Sequence, residues 1–333
     1  MKKIIKYSKK ISDVSDIKKD FFSINKKYLN KALKENQLYI SQTKRKKCKN
    51  CNFKISKAVF ESHKVKYTIC NKCSHLNGIY EDTNNFINQI YLTEEGSNYV
   101  NPYKKDFNLR VKKIYGPKAN FLKKVLKKRF SLIEIGCGAG HFIKACEKMK
   151  IKARGYDVNK DLIDIGKKHL KKNKIKLIKQ KQIFDLIKNS KEDVVAMIST
   201  LEHLQHPNLF LKKIKKSDIK YLYIVVPLFS LSSLIENVFE NVYPRQLSGS
   251  HTHLYTGESI DYMIKKNNFK ILGEWWFGTD ISDLFRSMLL NSKYNDKKFL
   301  KYYNKFFGYH IDELQNVLDK KKISCEVHMV LKV

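Results

Sequence analysis

Leu132-Ile133-Glu134-Ile135-Gly136-Cys137-Gly138-Ala139-Gly140-His141-Phe142 is the stretch that decides how this chain folds. An apolar run carries one acid, Glu134, and glycines then fall at every second position before a helical pattern begins. The reading is a buried strand turning tightly into a helix. Glycine takes positive φ without penalty and lets a ligand lie against the main chain. The helix N-terminus behind the turn adds unpaired N–H groups and positive dipole charge. Such a turn suits a small nucleoside-like cofactor.

Outward from it, strands and helices alternate from about residue 119. Strands are expected at 132–135, 152–156, 175–179, 193–199, 221–226 and 269–276, with an alternating last one at 323–331. Helices are expected at 118–129, 141–150, 159–171, 183–189, 208–214 and 258–267. Repeated βα units predict an α/β fold with a doubly wound, mostly parallel seven-stranded sheet that binds ligands at strand carboxyl ends. This domain covers 119–333, with insertions at 228–255 and 282–320. Ahead of it come an N-terminal extension (1–45), a cysteine ribbon (46–80) and a connecting helical segment (81–118). In the extension Phe21, Phe22, Ile24, Tyr28, Leu29 and Leu33 sit at loosely helical spacing, and 38–40 reads as a short strand. The connecting segment carries Tyr91, Tyr99 and Tyr103 and is punctuated by Gly116-Pro117.

The 333 residues are 42% hydrophobic, which excludes a disordered chain. Lys+Arg number 67 against 32 Asp+Glu, a net charge of +35. Such charge fits nucleic acid or an anionic membrane. Lysine is nevertheless spread along the whole chain beside much Ile and Asn, the pattern of an A+T-rich coding sequence. The longest apolar stretch, 221–235, is broken by Pro227 and serines and falls short of the roughly 18 residues a bilayer span needs. The first ten residues lack the apolar core of a secretory signal. The expectation is a cytoplasmic protein with reduced thiols and no membrane span.

Reduced cysteines need a reason other than disulfides. Cys48-x2-Cys51 and Cys70-x2-Cys73 stand 18 residues apart, a spacing read as a zinc site. Two such knuckles supply four thiolates in a tetrahedron around structural Zn²⁺, with no position left for chemistry. A segment this short cannot build its own core, so the metal would fold it. Cys137, Cys146 and Cys325 read as packing residues. His63 and His75 read as surface or supporting residues.

The glycine spacing separates two cofactors. A dinucleotide fingerprint needs its third glycine at position 141, where His141 stands. Asp157 lies about 20 residues beyond the first glycine, where a carboxylate holds ribose hydroxyls. Glu134 is ill suited to a diphosphate and acceptable to an α-amino group or a sulfonium. Glu134-Ile135-Gly136-Cys137-Gly138-Ala139-Gly140 with Asp157 resembles the first motif and following acid of class I S-adenosylmethionine-dependent methyltransferases. Ile198-Ser199-Thr200-Leu201-Glu202-His203-Leu204-Gln205-His206-Pro207 resembles the LEHL-x-x-P segment in members acting on small molecules. Strand 221–226 ending at Pro227, and His251-Thr252-His253-Leu254-Tyr255-Thr256 opening a helix, are similar too. With the cysteine ribbon ahead of it, the chain resembles bacterial methyltransferases of sugar and surface-polysaccharide biosynthesis.

The resemblance implies S-adenosylmethionine as cofactor beside structural Zn²⁺. It implies cofactor contacts at Glu134, Gly136, Gly138, Gly140, Asp157, Val158, Gln182 and Ser199. Adenine would lie near 180–183, where the usual acidic partner is absent. An oxygen or carbon nucleophile needs a general base, and the candidates are Glu202, His203, His251 and His253. His251 and His253 are two apart, would face the same side in extended chain, and could serve as a base or as a metal pair. The acceptor implied is a small molecule, a sugar or surface-glycan precursor. Two other readings stand beside it: an RNA base methyltransferase that binds RNA through the ribbon and basic surface, and a non-catalytic ribbon scaffold.

Overall fold

Residues 2–11, 23–91, 106–247, 251–292 and 297–333 are described by a computed structural model of the chain. Phe21, Phe22, Tyr99 and Tyr103 lie outside the described residues.

The main sheet has eight strands, one more than the periodicity predicts. They are β1 (Ile4–Tyr7), β5 (Ser131–Ile135), β6 (Lys152–Asp157), β7 (Ile175–Leu177), β8 (Val194–Ile198), β9 (Tyr221–Pro227), β11 (Lys270–Phe277) and β12 (Glu326–Lys332), in the order β1-β11-β12-β9-β8-β5-β6-β7. β12 runs antiparallel to both its neighbours, and the other pairs are parallel. The added strand comes from the N-terminal extension, where Ile4 pairs with Gly273 and Tyr7 with Trp276. A four-residue edge strand, partly exposed, carries no long apolar run that periodicity could reveal.

The central strands are buried on both faces, which is why they read as continuous apolar runs. Leu132, Val194, Ala196, Tyr223, Val225 and Trp275 pack on one side against helices Gly116–Leu126 and His141–Lys148. Ile133, Val195, Met197, Ile224 and Trp276 pack on the other against Ile183–Lys188, Pro207–Lys215 and Gly257–Asn267. The chain runs β5-β6-β7 to one side and returns through β8 to the other. The crevice between β5 and β8 is therefore the switch point at which open α/β sheets bind ligands.

The cysteine segment builds a second sheet from β2 (Phe60–Ser62), β3 (Val65–Ile69) and β4 (Leu76–Gly78). Its fourth strand, β10 (His253–Leu254), arrives from the insertion after β9 and pairs antiparallel with β4. Residues 38–40 do not form the expected strand; they end helix Asn25–Ile40, where buried Tyr39 donates its hydroxyl to the Tyr80 carbonyl at 2.7 Å. Nor does Gly116-Pro117 break the chain. Helix Phe107–Arg110 continues through a wide turn, Val111–Tyr115, into Gly116–Leu126. The loosened turn accommodates a proline that lacks an N–H. Among the described residues no helix is long and apolar enough to cross a membrane.

Candidate cofactor and acceptor site

The glycine turn forms at the end of β5. Gly136, Gly138 and Gly140 take φ of +73°, +53° and +76°, which L side chains rarely adopt. Two of them are also sterically required: a Cβ on Gly136 would lie 2.5 Å from Thr200, and one on Gly140 would overlap Leu170. Gly138 differs. Its Cβ would meet only Leu162 at 3.9 Å, so this face of the turn is open.

Asp157, at the end of β6, ties the turn down. Its Oδ2 accepts the Gly138 N–H at 2.7 Å and its Oδ1 accepts the Asn159 N–H at 2.8 Å. Burial pushes its pKa up, and these bonds oppose the shift. A carboxylate offers about four acceptor sites, so Asp157 keeps some acceptor capacity for a diol beyond its backbone bonds. It does not cap the next helix; Asn159 does, accepting from the Leu162 N–H at 3.0 Å. Glu134 is 2% exposed, and its Oε2 has no hydrogen-bond partner. Burial, then nearby Asp157, pushes its pKa well up. A buried acid of this kind is costly unless a cation or donor meets it.

The other expected cofactor contacts are scattered. Val158 is half-buried beside Asp157, and Ser199 is exposed at the end of β8 with φ of +50°. Gln182 is exposed, and its Oε1 accepts the Lys179 N–H at 3.0 Å.

The acceptor candidates sit across the crevice. Glu202 and His203 occupy a single tight turn, Leu201–His203, directly after β8. Glu202 is 1% exposed, neither carboxyl oxygen has a hydrogen-bond partner, and burial pushes its pKa up to about 8. The His203 ring stacks on His251, centroids 5.0 Å apart, and its Nδ1 meets the Tyr91 hydroxyl at 2.6 Å. The His251 Nδ1–H donates to the Gln246 carbonyl at 3.0 Å, which fixes its tautomer. A cavity of about 170 Å³ opens beside them, lined among others by Ser199, Glu202, Arg245, His251, Thr279 and Glu326.

His253 does not join this group, although it lies two residues from His251. β10 turns it into the ribbon, where its Nδ1 meets the Nε2 of His75 at 2.8 Å. His75 and His63 are buried rather than superficial. His75 also reaches Ser259, and the His63 Nε2–H donates to the Val242 carbonyl at 2.9 Å.

The four cysteines converge with their sulfurs within 4.8 Å of one another, and no disulfide joins them. Cys48–Cys73 and Cys51–Cys70 are 3.7 and 3.4 Å apart. Zn–S bonds of about 2.3 Å place tetrahedral sulfurs about 3.8 Å apart, so the donor set fits Zn²⁺. The N–H groups of Asn50 and Phe53 point at Cys48 and Cys51, each at 3.4 Å, as thiolates require.

Several residues that matter here carried no sequence signal. Lys49, inside the first knuckle, is buried and donates to the carbonyls of Leu204 and Gln205 and to Asp82. Arg245 reaches the cavity while held by Asp283 and Thr279. Glu326, at the start of β12, is paired with His328 and Lys118. Only folding brings these elements together.

A family model described as a methyltransferase domain matches residues 107–274, slightly more than half of the chain. The ubiquinone biosynthesis O-methyltransferase of Pelagibacter ubique (strain HTCC1062) is 29% identical over 100 residues. That match spans 28% of this chain and 42% of the relative's own length. A SAM dependent methyltransferase from Archaeoglobus fulgidus superposes with a TM-score of 0.45 at 18% identity, covering 72% of this chain and 99% of that one. The magnesium protoporphyrin IX methyltransferase of Synechocystis PCC 6803, solved with bound SAH, gives 0.40 at 13% identity, covering 57% and 90%.

Proposed function

The chain belongs to the methyltransferase-domain family, and from that premise we propose that it transfers a methyl group from S-adenosylmethionine to a small polar acceptor, a sugar or surface-glycan precursor. The observation that carries the proposal is the open face of Gly138 between a carboxylate with acceptor capacity, Asp157, and the unpartnered Oε2 of Glu134. These residues fit the cofactor by chemistry. Asp157 would take the ribose hydroxyls, Glu134 would answer a cationic amino group or sulfonium, and the turn would admit the chain between them. Val158, Gln182 and Ser199 would complete the rim. S-adenosylmethionine supplies a methyl group on a cationic sulfur, so transfer is a displacement that needs no redox partner.

The chain's own work is alignment, exclusion of water and removal of a proton. Thr200 packs over Gly136, so the Leu201–His203 turn, which would face the acceptor, starts directly against the glycine turn. The cavity beside Ser199 and His251 would hold the acceptor, with Arg245 and Thr279 among its polar lining. The His251 tautomer leaves Nε2 with its lone pair, while burial and nearby Arg245 push the ring's pKa down to about 4. Glu202 and His203 adjoin it.

The test is incubation of the full chain with methyl-labelled S-adenosylmethionine and separate pools of nucleotide sugars and total RNA. Label in the sugar pool is expected. Label in RNA alone overturns the acceptor assignment, and label in neither, with no heat on titrating S-adenosylhomocysteine, leaves the scaffold reading.

A further inference from the structure

We infer that helix Lys297–Phe307 and the turn after it form a docking surface for an anionic phospholipid bilayer, on which the chain lies without crossing it. Five of the six exposed aromatic side chains among the described residues fall here: Phe299, Tyr302, Phe306, Phe307 and Tyr309, with Phe53 elsewhere. Lysine is spread along the whole chain, but exposed rings are not. Apolar surface gathered in this way marks a place of contact.

The helix has two unlike edges. Its inner edge is seated on helix Asp280–Asn291. Tyr303 is buried there, and the rings of Tyr303 and Phe307 lie 5.9 and 5.5 Å from that of Phe285. Its outer edge is a stripe, because Phe299, Tyr302, Phe306 and Tyr309 recur at steps of three and four. Tyr302 is 61% exposed and Phe306 58%, their rings stacked with centroids 5.5 Å apart. Exposed Lys298, Lys301 and Lys305 border the stripe, and no Asp or Glu occurs from Lys297 to Ile311.

An apolar ridge beside a row of ammonium groups matches anionic headgroups above acyl chains. The rings sink to the boundary, and the lysines reach the headgroups on their aliphatic stems. A second copy of the chain fits less well. Two-fold packing of the stripe sets the row of lysines against its own equivalent, and the segment carries no acid to offset them. RNA also fits less well. The segment has no arginine to stack on bases or grip phosphate in two places. Helix Asp280–Asn291 also carries Asp283, which holds Arg245 at the cavity, so the surface and the cavity share one helix. Docking itself does not rest on the methyl-transfer reading.

The experiment is flotation of the full chain with mixed phosphatidylglycerol–phosphatidylcholine vesicles and with phosphatidylcholine alone. Binding to the anionic vesicles only is expected, and it should be lost at about 1 M salt. Lys298→Glu, Lys301→Glu and Lys305→Glu combined should weaken partition more than about 100-fold, at about fivefold for each lysine lost. Tyr302→Ser with Phe306→Ser should weaken it about tenfold and leave the melting temperature unchanged, since both side chains are exposed. Tyr302→Trp should keep binding and shift its emission to the blue on anionic vesicles. Lys168→Glu, Lys171→Glu and Lys172→Glu combined, exposed after helix Lys160–Lys167, control for net charge and should weaken partition far less. Absence of binding to anionic vesicles, equal binding to neutral ones, or equal losses from the two lysine triples overturns the surface. RNA binding or self-association that the Tyr302→Ser, Phe306→Ser variant abolishes, without vesicle binding, assigns the stripe to that partner and overturns it as well.

Discussion

The ammonium of Lys49 donates to the Leu204 carbonyl at 2.9 Å, joining the first cysteine knuckle to the turn that carries Glu202 and His203. The adjacent Gln205 carbonyl is held at 2.9 Å by the same group. Asn208 closes the contact from the other side, donating to the Lys49 carbonyl at 2.6 Å. The ribbon is therefore a clamp on the Leu201–His203 turn and the residues that follow it. Lys49→Met leaves two carbonyls unsatisfied, removes one cation from buried Asp82, and is expected to cost about 3 kcal/mol of stability. Methyl-transfer turnover should fall more than affinity for S-adenosylhomocysteine, because the clamp touches the turn carrying Glu202 and His203 and not the glycine turn. Denaturant melts and calorimetry check this, and equal loss of both quantities would contradict it.

The four-cysteine cluster fits Zn²⁺, and stripping such an ion from the ribbon should act at a distance in sequence. β4 pairs with β10, and His75 meets His253. Chelation is expected to strip amide-exchange protection from β2 to β4 and from His253–Leu254 together, while β5, β8 and β9 stay protected. Loss confined to 46–80 would show that the two sheets are energetically independent.

Substitutions in the glycine turn should separate folding from binding. Gly138→Ala forces an L residue into positive φ, at a cost of about 1–2 kcal/mol. Its methyl meets only Leu162 and otherwise enters the open face. A melting point lower by a few degrees and at least tenfold weaker S-adenosylhomocysteine binding are expected. Gly140→Ala meets Leu170 and Ile175 as well as unfavourable φ. It should unfold the domain outright or nearly so.

Asp157→Asn tests the diol assignment. The amide keeps one acceptor oxygen and sets an N–H₂ against one of two N–H donors, Gly138 or Asn159. Calorimetry should show binding weakened about 100-fold, equivalent to about 2.7 kcal/mol. Unchanged affinity would remove Asp157 from the cofactor site.

His141 predicts an acid weakness. Its ring stacks on Phe107 at 4.3 Å and on Tyr115 at 5.2 Å. Burial, with Arg110 and His169 facing it, pushes its pKa down from 6.5 to about 3. The folded chain then binds fewer protons than the unfolded chain between those values. Stability falls as pH drops below about 6.5, by about 1.4 kcal/mol per unit from this group. His141→Phe keeps the stacking and removes the titration. The variant should gain on the unaltered chain in melting temperature between pH 6.5 and 5, and parallel curves would refute the assignment.

The sequence by itself determined what depends on near neighbours. Alternating glycines after Glu134 dictated a strand–turn–helix, because positive φ is a local property of the backbone. Two Cys-x2-Cys knuckles dictated a cluster of four sulfurs, because each knuckle fixes its own pair. Apolar runs of five or six residues dictated doubly covered strands. Tertiary structure decided what depends on where distant segments cross. It added Ile4–Tyr7 to the sheet edge, since an exposed strand is chosen by its partner and not by its own pattern. It split His251 from His253, because β10 belongs to the ribbon while the residue two places earlier still faces the cavity. It buried Lys49 against Leu204, a contact with no periodic signature at all. Pairing across long loops is governed by packing and hydrogen-bond satisfaction over the whole molecule, and no local window of sequence contains that information.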